Sequence, residues 1–189
     1  VQPDGGRGAP FALSSDTDQA SVPGVAPVDD GWMVTWASRN ASGALAIHAA
    51  TLSRDGTLLG LPVEVATDAI EPVIASNGRQ AAAAWLARHE HGWAVDVQHL
   101  SRQESAQRVA SPTDTQWITG VAIDVGPDDD IAVAWTVDKP VHDTWVRTIE
   151  NNGHMSEPVQ LIHGGHLEAA RATSRLHVAA NGTVHAAVS

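Results

Sequence analysis

A tryptophan closing a short apolar run recurs at Trp36, Trp85 and Trp135, at intervals of 49 and 50 residues. Spacing this regular marks a repeated supersecondary unit, and it constrains the fold more than any single motif does. The three segments are "VDDGWMVTWASRN", "SNGRQAAAAWLAR" and "GPDDDIAVAWTVD". Each is preceded by a short apolar run: "GVAPV", "PVIAS" or "GVAIDV". Each is followed by a polar loop and an alternating stretch: "ALAIHAATL", "AVDVQHLS" or "TWVRTIE". A turn such as "SRDGT" or "ENNGH" comes next, and then a fourth run: "PVEVA", "QRVAS" or "EPVQLI". Alternating, β-branched runs bounded by Gly, Asn, Asp and Pro read as strands. Each unit therefore holds four strands, A to D.

An antiparallel unit of about 50 residues cannot bury both of its faces alone, so it must stack on its neighbours. Radial stacking gives a β-propeller with one blade per repeat. The expected fold class is thus all-β, with helix limited to single turns, and tandem sandwich modules are the alternative architecture. The strand B tryptophan fills the space between blades. "AAAA" at 81–84 favours helix by propensity alone, but its place in the repeat predicts a strand near the crowded centre.

The repeats run approximately over 20–67, 68–113 and 116–163, with a partial unit at 172–189 and a leading outer strand at 8–15. Gly8, Pro10 and Pro23 match Gly60, Pro62 and Pro72, and Asn181-Gly182 matches Asn77-Gly78. The count is one D strand, three full units and an A–B pair. This predicts an incomplete propeller, completed by the remainder of a longer protein or by another chain. The alternative takes "HLEAARAT", "RLHVAA" and "TVHAAVS" as A, B and C, closing a four-bladed ring.

The pattern in "GWMVTWASRN", "ATLSRDGTLLGLPVEVATDAIEPVIASNG" and "IAVAWTV" resembles the tandem propeller repeats of secreted bacterial proteins. It is distantly similar to sialidase-type propellers. Their Asp-box, Ser-x-Asp-x-Gly-x-x-Trp, is met only in part by Ser53, Asp55 and Gly56, and the closing Trp is missing. Sialidases also pair a Tyr with a carboxylate, and this chain has no Tyr. The resemblance implies architecture and a secreted or periplasmic bacterial setting, but not sialidase activity.

The formal net charge of −11 argues against nucleic acid and anionic membrane surfaces as partners. Absence of Cys excludes disulfides and thiolate chemistry. No apolar run reaches the length of a membrane span, so no membrane insertion is expected.

In a meander, the B–C and D–A loops leave from one face and the A–B and C–D loops from the other. The first face collects His89, Glu90, His91 and Trp93, then Asp114 and Trp117, then Asp138, Lys139 and His142. It also takes "HGGHLEAARATSR", with His163, His166, Glu168, Arg171 and Arg175. His89 and His91 at i,i+2 point the same way in extended chain. With His163 and His166 they form the candidate set for a divalent metal, zinc or copper. Trp93, Trp117 and Trp145 offer flat rings to a sugar, and Arg171 and Arg175 could hold uronate carboxylates. GxSxG, P-loop and GxGxxG signatures are absent. The leading reading is an extracellular binding or scaffold propeller taking a glycan or protein ligand on this face. The alternative is a carbohydrate-active enzyme of polysaccharide-lyase type, with a His base or a metal.

Overall fold

A computed structural model describes residues 10–15, 18–102, 104–113, 117–138, 142–163, 174–179 and 181–188. The described chain is all-β. Its first sheet holds β1 (Gln19–Val28), β2 (Gly31–Arg39), β3 (Leu45–Ser53) and β4 (Val63–Thr67). The second holds β5 (Ala69–Ser76), β6 (Ala81–His89), β7 (Gly92–His99) and β8 (Gln107–Ala110). β9 (Ile118–Val125), β10 (Ile131–Asp138), β11 (His142–Ile149) and β12 (Val159–Ile162) form the third, and a hairpin of β13 (Ser174–Val178) and β14 (Val184–Val188) follows. Each four-stranded sheet is an antiparallel meander in chain order. The one helical element among the described residues is a 3₁₀ turn, Leu100–Arg102.

Successive sheets pack through their first strands, β1 on β5, β5 on β9 and β9 on β13. This is a propeller-like arrangement, and it puts β13 in the place of a first strand. The repeat interval reappears as hydrogen bonds between neighbouring sheets. Ser76 Oγ donates to the Pro27 carbonyl, and Asn77 Nδ2 donates to the Gly126 carbonyl at 2.8 Å. Arg102 Nη1 reaches the Asn151 carbonyl at 2.9 Å. Asp129 gathers Asn77 Nδ2, Arg79 and Arg102 onto one carboxylate.

Two of the three repeat tryptophans sit between sheets, while Trp36, also buried, stacks on His48 of its own sheet, with ring centroids 5.4 Å apart. Trp85, 1% exposed, packs with Ala83 and Ala87 against Ala37, Ile47 and Val65 of the first sheet. Trp135 packs with Val133 and Val137 against Ala82, Ala84, Val95 and Val109 of the second. Alternation along β6 thus sends Ala83 and Trp85 one way and Ala82 and Ala84 the other. Both faces of this strand are buried. Only small side chains fit where an indole from each side must be housed, so "AAAA" is strand despite its helix propensity. Close approach also fixes Gly24, where a Cβ would lie 2.8 Å from Ile74 Cγ2.

Residues 10–15 form no ladder with a described strand, and residues 8 and 9 of the expected leading strand lie outside the described set. "SRDGT" is a structural turn: Asp55 accepts from Ser53 Oγ, and from Thr57 N at 3.2 Å.

Candidate functional site

The meander sets the geometry of the candidate face. Ends of β2, β6 and β10, starts of the strands that follow them, ends of β4, β8 and β12, and starts of β5, β9 and β13 all lie at one end. Asp68 N donates to the Leu45 carbonyl at 2.9 Å, Arg88 N to Asp68 at 2.8 Å and Asp138 N to Trp117 at 2.7 Å. The last two bonds are the same bond one repeat apart.

Three cross-strand pairs occupy equivalent rungs of this face: Arg39 with Leu45, Arg88 with Trp93, and Asp138 with His142. Each pair has different chemistry. The Arg88 guanidinium carbon lies 4.6 Å from the Trp93 ring centroid, a cation–π stack. His142 Nδ1 lies 3.1 Å from Asp138 Oδ1. Leu45 offers Arg39 no polar partner. The rung directs side chains to the same place, and residue type decides what they do there.

In the second sheet, the His89 and His91 rings lie 6.0 Å apart between centroids. Nδ1 of His89 is buried with no hydrogen-bond partner. Glu90 Oε2 lies 3.9 Å from His91 Nε2. Trp93 is half-buried against the main core cluster, and Arg88 covers one ring face, so it is no open platform. Trp145 likewise packs against that cluster.

In the third sheet, Trp117 precedes β9 and is 54% exposed. His163 follows β12. Its Nδ1 lies 3.1 Å from Oδ1 of Asp143, which is 8% exposed, and 2.9 Å from Gln160 Nε2. Nδ1–H donating to the carboxylate fixes the tautomer and leaves Nε2 as the acceptor. The sheet order β12-β11-β10-β9 sets His163, His142 with Asp138, and Trp117 along one edge, strands about 4.8 Å apart.

Of the four expected metal ligands, the structure brings His89 and His91 together, and it engages His163 with Asp143 and Gln160. His166 and Arg171 lie outside the described residues. So does the Arg175 side chain, although its backbone belongs to β13. Among the described residues no three His, Asp or Glu side chains converge on a point where a metal ion could sit. Arg39, Arg88 and Asp143 went unnoticed in the sequence. Carrying the repeat alignment three residues beyond each tryptophan would have found the first two. Asp143 offers no such signal.

No protein-family model matches the chain, and no curated protein matches it. Among solved structures it resembles a thermostable family-43 glycoside hydrolase at 13% sequence identity and a TM-score of 0.48. The match covers 87% of this chain and 63% of that one, so the chain spans less than two thirds of its neighbour's length. At this identity the likeness concerns the fold alone.

Proposed function

We propose that this protein is a propeller-type glycan-binding module, secreted or periplasmic, whose ligand lies across the edge of the third sheet. One observation carries the reading: an exposed indole at Trp117 stands in line with two carboxylate-held imidazoles, His142 with Asp138 and His163 with Asp143. An indole face stacks on the apolar side of a pyranose ring. A carboxylate–imidazole pair presents both donor and acceptor to adjacent hydroxyls. Glycoside hydrolysis needs two carboxyl groups flanking the scissile bond. Here each carboxylate of the row is engaged by its own imidazole, which suits recognition better than hydrolysis.

A glycan array followed by calorimetry on the best ligand tests this. Trp117→Ala should weaken binding roughly tenfold or more, from the loss of about 1–3 kcal/mol of stacking and desolvation. Wild-type protein that retains no glycan on a broad array would overturn it.

The Asp143–His163 contact also favours a second reading, in which His163 acts as a general base in lyase chemistry. New unsaturated chain ends, read by absorbance and lost in His163→Ala, would establish it.

A further inference from the structure

On the same face, a cleft of about 320 Å³ opens between the first and second sheets. Its walls include Gln19, Ser21 and Arg39 from the first sheet and Ile70 and Glu71 from the second, with Leu45 at the side. The volume is at the lower end of small-ligand sites and fits one sugar residue. Two features set it apart from the grooves between strands elsewhere.

The first is backbone strain. Val22 has φ 51° and Glu71 φ 53°, both in the left-handed region, and both line the cleft. Each stands directly before a proline, Pro23 or Pro72. A non-glycine residue seldom adopts positive φ, a β-branched one least of all, and the residue before proline is further biased to extended backbone. The strain falls at bulges in β1 and β5, where the ladders shift between Ser21 and Gly24 and between Ile70 and Val73. Bulges re-aim side chains, and held strain of this kind clusters at binding sites.

The second is an unspent cation. Arg54, Arg79, Arg102, Arg108 and Arg147 each have a polar partner, and Arg88 has Trp93. Among the described arginine side chains, Arg39 alone has no such contact. Its cross-strand neighbour is Leu45, whereas the equivalent rungs hold Trp93 and His142. In a chain of net charge −11, a free guanidinium on a cleft wall is a specific anion site within a repelling field. Its planar fork matches a carboxylate in two-point contact.

We infer that this cleft holds an acidic sugar residue, its uronate carboxylate on Arg39 and its hydroxyls toward Ser21, Gln19 and Glu71. Glu71 lies on the opposite wall, so the carboxylate is directed to the first sheet and the sugar enters in one orientation. This rests on the glycan-binding reading and narrows it to acidic glycans.

The test compares a galacturonate oligosaccharide with its carboxyl-reduced, neutral counterpart, by calorimetry on wild-type, Arg39→Ala and Arg39→Lys protein. Arg39 is exposed, so both variants should fold as the wild type does, which circular dichroism checks. The expected result is tighter binding of the uronate by wild type. Arg39→Ala should weaken that binding about tenfold or more, with Arg39→Lys intermediate, since Lys keeps the charge without the fork. Binding of the neutral sugar should not change. Equal affinity for both sugars, or uronate affinity untouched by Arg39→Ala, overturns the cleft assignment and leaves glycan binding standing. Failure of wild type to bind either sugar overturns the cleft assignment, and only retention of no glycan on the broad array overturns both.

Discussion

Oδ1 of Asp143, a nearly buried carboxylate, lies 3.1 Å from Nδ1 of His163, whose ring is largely in solvent. The buried partner holds the exposed one, so the outward nitrogen has a fixed direction. If this pair acts as a unit in recognition, Asp143→Asn and His163→Ala should each weaken glycan binding about three- to tenfold. The double variant should be little worse than either single one, because coupled residues are not additive. Independent, additive losses would mean the two side chains contribute separately.

The tryptophans divide into structural and exposed sets, and stability separates them. Trp85→Ala removes a side chain 1% exposed from between two sheets, and urea unfolding should report a loss of about 3–5 kcal/mol. Trp117→Ala, at a site 54% exposed, should cost less than about 1 kcal/mol. A similar cost at both positions would contradict the packing described here.

Packing between the first two sheets also depends on what is missing at Gly24. Valine there would press into Ile74 Cγ2, since its Cβ alone would lie 2.8 Å away. A loss of about 1–3 kcal/mol is expected, from overpacking. Adding Ile74→Ala should recover part of it. No recovery would place the clash elsewhere.

Acid sensitivity should arise at His99. This side chain is 6% exposed and neither ring nitrogen has a hydrogen bond. Burial, followed by the nearby Arg102, lowers its pKa below the ordinary value of about 6.5. Glu104 and Asp129 act in the opposite direction but do not prevail. The unfolded chain therefore takes up a proton at a pH where the folded protein does not. Stability should be unaffected by this group above about pH 6.5 and should decline as pH falls below that, toward the lowered folded value. Urea midpoints of wild type and His99→Leu, taken from pH 8 to pH 5, should converge in slope above that point and diverge below it. Parallel profiles would show that His99 does not carry the effect.

The recurrence of Trp36, Trp85 and Trp135 was enough to define four-stranded sheets, their order and the division of loops between two faces. Periodicity in a repeat is local information, and each copy reinforces the others. Even the strand at "AAAA" was legible this way, against its own helix propensity. The chemistry of the face was legible only in outline. In the structure the His89 and His91 rings lie 6.0 Å apart and Trp117 is exposed. Trp93 is half-buried, with Arg88 over one ring face. The repeat alignment points to the Arg39 position, but only the structure shows that its guanidinium, opposite Leu45 on the rung, has no polar partner. Asp143 gained its role from reaching His163 across two antiparallel strands. Arg39 and Leu45 face each other across one hairpin, whereas Asp143 and His163 are brought together from twenty residues apart. Pairing register brings these side chains within a few ångströms, and whether a charge is matched or left free is settled only there.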